Sequence, residues 1–271
     1  MVHELENNME THPCFTNGCS KYARIHLPVA PKCNLQCNYC LRRFSCVNES
    51  RPGVTSQIMN PMEAVSWYLK MRAVHHNLTV VGIAGPGDAL ANWEQVRDTL
   101  QAIRSIDKKI LFCLSTNGLM LPTYVEELLA LQIGYVTVTV NAVNVATGAK
   151  IYQHLWWQGK KYTGEAAAEL LLTQQQEGIA ALVRNGVKVK LNSVAIPRVN
   201  MEELPSIARF GAESGCTVMN ILPMLPVAGS VFGKLGEPEK NEILALQQDC
   251  GHWIRQMSHC RRCRADAVGC L

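Results

Sequence analysis

The 271 residues predict an α/β protein, either an open, partial (β/α)6 TIM-like barrel or a doubly wound sheet. Three observations carry that prediction. Short apolar runs rich in β-branched residues alternate with longer stretches of helical period. The runs have the near-continuous apolar character of strands buried on both faces, which marks parallel sheets. Six strand–helix units fit the chain, short of the eight of a closed barrel.

In order, the strands fall at 24–30 (RIHLPVA), 78–84, 109–115, 135–141, 187–196 and 217–224. Helical patterns lie near 61–75, 91–105, 122–132, 164–185, 201–214 and 236–257. Asn200 can cap the helix after it, and Asn185-Gly186 and Gly215 can end the helices before them. The connection 142–163, with Trp156 beside Trp157, is long enough for a functional lid, and an elaborated surface helix explains it equally. One domain spans 1–271, with a core at about 24–257. The polar, cysteine-bearing tails 1–23 and 258–271 are expected to pack over the barrel mouth.

Composition narrows the function. A net charge of +4 from scattered Lys and Arg is too mild for a nucleic-acid protein. No run reaches the roughly 18 apolar residues of a membrane helix, and the polar, acidic start does not read as a signal peptide, so the expected location is cytoplasmic. Twelve cysteines in such a chain point to metal or redox work rather than disulfides.

The leading motif is Cys33-Asn-Leu-Gln-Cys37-Asn-Tyr-Cys40, a CxxxCxxC directly after the first strand. Three thiolates can hold three irons of a cubane and leave the fourth open to a chelating ligand. A zinc knuckle is the competing reading, although structural zinc favours CxxC pairs with a fourth ligand nearby. The second strand runs into Gly85-Pro86-Gly87-Asp88, a turn that lets backbone approach a ligand and whose Asp88 can receive an ammonium. Ser115, Thr116 and Asn117 end the third strand, and Asn192 lies in the fifth; all bring small hydrogen-bonding groups towards one end of the sheet, and cap or turn roles explain them as well. Cys260-Arg-Arg-Cys263 is a further CxxC, and His26, Cys46, Cys113 and Cys14 are metal-capable residues that spacing alone does not group. Glu49 and Arg51 beside Cys46 suit proton handling or cluster contact, or a simple loop salt bridge.

A CxxxCxxC after the first strand of a βα fold, with aromatic Tyr39 inside its CxxC, resembles the radical S-adenosylmethionine (SAM) enzymes. HPC near the start, RIHLPVAPKCNLQCNYC, CVNESRPGV, GIAGPGDALAN, STNGL and CRRCRADAVG, in that order over about residues 12–270, are more specifically similar to the NifB family within them. The resemblance implies a [4Fe-4S] cluster on Cys33, Cys37 and Cys40 that binds SAM, with the GPGD turn in place of a GGE-like sequence that holds the methionine amine. It implies that two substrate [4Fe-4S] clusters are fused: K1 on His26, Cys46 and Cys113, and K2 on Cys14, Cys260 and Cys263. One SAM would donate a methyl group and a second a radical that abstracts hydrogen from it. A carbide and a ninth sulfur would complete NifB-co, the [8Fe-9S-C] precursor of the nitrogenase cofactor. Implied partners are a NifU-like cluster donor, a ferredoxin-type reductant and a NifX- or NifEN-like acceptor, with neither nucleic acid nor membrane. The stop at Leu271, without a NifX-like domain, reads as a stand-alone form. One departure is a Cys14–His26 spacing one residue short, which leaves Cys19 open as an alternative to Cys14, whose HPC context favours it. Cys216, Cys250 and Cys270 are expected to be buried or incidental thiols.

Overall fold

The computed structural model describes residues 11–16, 21–42, 49 and 51–270. Six parallel strands follow in chain order across one sheet: β1 (Ala23–His26), β3 (Leu78–Ile83), β4 (Leu111–Thr116), β5 (Tyr135–Thr139), β8 (Lys188–Ala195) and β9 (Val218–Pro223). The crossovers carry α1 (Pro61–Val74), α2 (Trp93–Ile106), α3 (Leu121–Ala130), α5 (Gly164–Arg184) and α6 (Leu204–Glu213), and α7 (Lys240–Gly251) follows β9. This is the partial (β/α)6 barrel, and the doubly wound alternative falls away.

Alternation along each strand separates core from cavity. In β4, Phe112 and Leu114 are buried in the main hydrophobic core, while Cys113 and Ser115 face a cavity inside the curl. In β8, Val189 and Leu191 join the core, and Lys190, Asn192 and Val194 line the cavity. Cys216 and Cys250 sit in the core as apolar thiols.

The element ends differ from expectation for identifiable reasons. The first strand stops at His26, before Pro28 and Pro31, which have no N–H for the ladder. Asn200 does not cap α6. Its amide bridges Asn141 and Val194 carbonyls while its oxygen accepts from Ile196 N–H, so it ties two strand ends together. Asn185 and Gly186 do end α5, with Gly186 at φ +79°. The long 142–163 connection is neither a simple lid nor one surface helix. It holds α4 (Val145–Ile151) and a hairpin, β6 (Tyr152–Trp157) and β7 (Lys160–Tyr162), that pairs antiparallel with β2 (Leu35–Cys37) in the cysteine loop.

The two tails differ: Ala265 of the C-terminal tail does reach the mouth, 3.8 Å from where a Cβ on Gly85 would stand, whereas residues 11–16 of the N-terminal tail do not. Phe15 packs on Tyr135 and Val218, the first residues of β5 and β9, at the opposite end of the barrel. The chain after α7 leaves the β9 edge, where Met257 N–H donates to the Met219 carbonyl. It reaches the β1 edge as β10 (Val268–Gly269), antiparallel to β1. This segment therefore spans the open side of the half-barrel.

Candidate functional site

A single cavity of about 310 Å³ runs through the curl and is lined by Cys14, His26, Cys33, Cys37, Cys40, Cys113, Cys260 and Cys263. Every expected ligand among the described residues thus reaches one space; Cys46, and Cys19 as the alternative to Cys14, lie outside the described residues. No three described His, Cys, Asp or Glu side chains converge as around a single ion. Thiols dispersed around a cavity suit polynuclear clusters, so the zinc knuckle gains no support from their placement.

At the mouth, the cysteine loop is held from both sides. Asn38 N–H donates to the Ile151 carbonyl and Trp156 N–H to the Asn34 carbonyl, which fasten the loop to the hairpin. Gln36 Nε2 donates to the carbonyls of Cys37 and Cys40. On the other side Gly87 N–H donates to Ala30 and Asp88 N–H to Lys32. A Cβ on Gly87 would stand 2.0 Å from the Lys32 carbonyl oxygen, so only glycine permits this approach. Gly85, at φ +124°, occupies backbone space that glycine alone enters readily. Burial first, and then the neighbouring charges, push the Cys33 thiol up to about 11 and the Cys37 thiol further. Ligation requires the thiolate, so cluster loading must release protons here.

Asp88 does not offer a free carboxylate to an ammonium. Its oxygens accept from Leu90 N–H (2.9 Å), Ala91 N–H (3.2 Å), Thr116 Oγ (3.0 Å) and Asn117 N–H (2.5 Å). These donors match the roughly four lone-pair sites of a carboxylate. Asp88 and Thr116 therefore join the ends of β3 and β4. Ser115, Asn117, Asn192 and Tyr39 do line the cavity; Asn117 Nδ2 lies 3.8 Å from Cys33 Sγ, and Tyr39 Oη accepts from Asn141. Glu49 and Arg51 form an ion pair with each other, and Arg264 donates to the Glu49 carbonyl. Neither is among the residues lining the cavity. The salt-bridge alternative is what their geometry gives.

Deeper in the barrel, His26, Gly82 and Cys113 stand side by side on β1, β3 and β4. His26 Nδ1 is 2.9 Å from the Arg264 carbonyl oxygen. A carbonyl only accepts, so Nδ1 carries the proton and Nε2 keeps its lone pair for a metal. Burial, reinforced by Arg24, lowers the His26 pKa to about 4, which keeps the ring neutral. Burial pushes the Cys113 thiol up to about 12. Beneath them Cys14, Cys260 and Cys263 approach from the two tails. Arg24 Nη2 donates to Cys263 Sγ at 2.5 Å, and Asn220 Nδ2 lies 3.3 Å from Cys260 Sγ. The three sets are stacked along one cavity: the loop triad at the mouth, the His26 level in the middle and the tail cysteines at the floor.

Sequence reasoning missed Arg24, Lys190, Asn141 and Asn220, which also line the cavity. The signal was available in part. Lys190 alternates with apolar Val189 and Leu191 in β8, and a charged residue on the inward phase of a buried strand needs a reason.

The sequence profile of the Radical SAM superfamily matches residues 27–211. The chain is 44% identical over 265 residues to the FeMo cofactor biosynthesis protein NifB of Chlorobaculum tepidum, covering 97% of this chain and 62% of that protein. It is 46% identical to NifB of Klebsiella pneumoniae, over 96% of this chain and 57% of the relative. The corresponding protein of Azotobacter vinelandii is 42% identical over 98% of this chain and 54% of its own length. The chain thus spans about three fifths or less of the curated relatives it matches. Among solved structures, Streptococcus suis SuiB bound to S-adenosylmethionine superposes with a TM-score of 0.58 at 16% identity, over 84% of this chain and 47% of that one. The radical S-adenosylmethionine methyltransferase TsrM of Kitasatospora setae gives 0.51 at 11% identity, over 78% and 38%. At these identities the structures share the fold alone. With the profile covering the cysteine loop and most of the cavity lining, the chain belongs to the radical SAM superfamily.

Proposed function

We propose that this chain carries out the NifB reaction: it fuses two [4Fe-4S] clusters, inserting a SAM-derived carbide and an extra sulfur, to form the precursor of the nitrogenase active-site cofactor. Membership of the superfamily implies a resident [4Fe-4S] cluster and SAM, which together supply radical chemistry when bound. Cys33, Cys37 and Cys40 are the donor set that fits this cluster. The observation that carries the finer reading is the cavity itself, whose thiols and imidazole exceed what one cluster needs. Three protein ligands per substrate cluster suit a group that must be rebuilt and released. His26, neutral and with Nε2 free, is the ligand most readily given up, because a neutral imidazole holds iron less tightly than an anionic thiolate. Tyr39, Ser115, Asn117 and Asn192 line the reaction space, and the Gly85–Gly87 turn fixes the loop that bears Cys33. In this reading the chain works in the cytoplasm with a NifU-like cluster donor, a ferredoxin-type reductant and a NifX- or NifEN-like acceptor. Among the described residues no helix is long and apolar enough to cross a membrane.

Anaerobic measurement of iron per chain together with 5′-deoxyadenosine and S-adenosylhomocysteine tests the proposal. The expected result is about twelve irons, four for each of three cubane sites, with both SAM products. Iron without SAM products would leave an iron–sulfur carrier instead.

A further inference from the structure

The floor of the cavity holds two buried cations without a carboxylate. Arg24 is 5% exposed and Lys190 7% exposed, and among the described residues neither forms an ion pair with Asp or Glu. Asp88, the acidic residue of the cavity lining, is at the mouth and saturated by its own strand ends. Burying a charge is costly unless it is paired and hydrogen-bonded. Arg24 uses Nη1 on the Gly269 carbonyl and Nη2 on Cys263 Sγ, yet its Nε is buried with no acceptor. A third donor stands beside them. His12 is buried, and its Nδ1 accepts from Cys14 N–H at 3.2 Å. The neutral ring must then carry its proton on Nε2, and that atom is buried without a partner. Lys190 lines the same cavity as Cys14, Cys113, Cys260 and Cys263, and its Nζ stands 6.0 Å from the ring centre of Phe15, the neighbour of Cys14.

We propose that Lys190, Arg24 and the Nε2–H of His12 form a cationic seat for anionic sulfur in the barrel floor. The seat neutralises and fixes the thiolate-bound iron–sulfur substrate held by Cys14, Cys260 and Cys263. This rests on the reading that those cysteines hold a substrate cluster. The three residues act as positioning groups: they donate to sulfur and compensate its charge, and they ligate no iron. Their chemistry explains why the floor contains cations and N–H donors where the ligand level above it has a neutral imidazole with a free lone pair.

The test uses the full chain, loaded anaerobically with iron and sulfide, and follows iron loss to a strong chelator. Cys260→Ser identifies the kinetic phase belonging to the floor cluster as the phase it removes. In Lys190→Met that phase is expected to accelerate about tenfold, the effect of losing one charge-assisted contact. In Lys190→Arg it is expected to return to within about twofold of the parent, since Arg restores the charge. Arg24→Gln removes a charge from the other side of the seat and carries the same expectation as Lys190→Met if the methionine variant fails to fold. An unchanged phase in a folded Lys190→Met or Arg24→Gln chain overturns the seat. Retention of every phase in Cys260→Ser overturns instead the assignment of a cluster to the floor.

Discussion

Gly82 separates His26 from Cys113 on adjoining strands, and a Cβ there would stand 2.8 Å from His26 Cδ2. No real Cβ sits so close, so the ring would have to turn away from the cavity and lose its bond to the Arg264 carbonyl. Gly82→Ala is therefore expected to weaken the middle ligand set as His26→Ala does, without touching a ligand. Both variants should lose about four irons per loaded chain, the content of one cubane. The loop triad is untouched, so 5′-deoxyadenosine formation should persist in both. Loss of iron and of SAM cleavage together in His26→Ala would reject the role given to this level. The same scale shows the limit of motif reading. Asp88 carries the right chemistry for an ammonium, but its partners Thr116 and Asn117 are distant in sequence and visible only after β3 and β4 are paired.

α3 and α5 meet through Gly178, where a Cβ would lie 2.3 Å from Leu121 Cβ. Alanine within a helix normally gains about 1 kcal/mol over glycine. Here overpacking, which costs typically about 1–3 kcal/mol, opposes that gain, and a contact this short places the cost at the upper end. Gly178→Ala is expected to lower the melting temperature; an increase would show that the helices separate freely. The helices and parallel strands were legible because periodicity is a local property of long apolar runs. The hairpin was not. Its turn residues Gln158 (φ +49°) and Gly159 (φ +76°) are both left-handed, as a two-residue type I′ turn requires. Gln-Gly is a muted form of the Asn-Gly signal, and the partner strand β2 is hidden inside a metal motif. The turn makes the segment around Trp156-Trp157 a clamp on the cysteine loop rather than a lid.

The assembled molecule joins what spacing could not. The loop triad is local and readable at once, whereas His26, Cys113, Cys14 and the terminal CxxC arrive on β1, β4 and the two tails; their division into ligand sets comes from the resemblance, and the structure adds that they line one cavity. Arg24 and Lys190 stayed hidden because a cation within an apolar strand carries no motif. The grouping depends on the C-terminal segment crossing from the β9 edge to the β1 edge, and Asp266 latches that crossing. Its Oδ2 accepts from Ser56 N–H (2.6 Å) and Ser56 Oγ (2.7 Å), and its Oδ1 from Arg264 (2.8 Å). Burial alone would raise its pKa, but the Arg264 and Ser56 hydrogen bonds outweigh burial and hold it well below the usual carboxylate range. A depressed folded pKa means that the native state favours the charged form. The stabilisation is complete above the ordinary carboxylate value of about 3.9 and is lost as pH falls below it towards the folded pKa. At neutral pH Asp266→Asn should reproduce that loss, at about 1.5–3 kcal/mol for hydrogen bonds to a charged group. Because Arg264 also supplies the carbonyl that orients His26, the loosening should reach the ligand level. Hydrogen exchange at pH 7 is expected to show faster amide exchange over residues 257–270 in Asp266→Asn, with β4 and β5 unaffected. Equal protection of the segment in the variant and the parent would mean that β10 pairing alone holds the half-barrel closed.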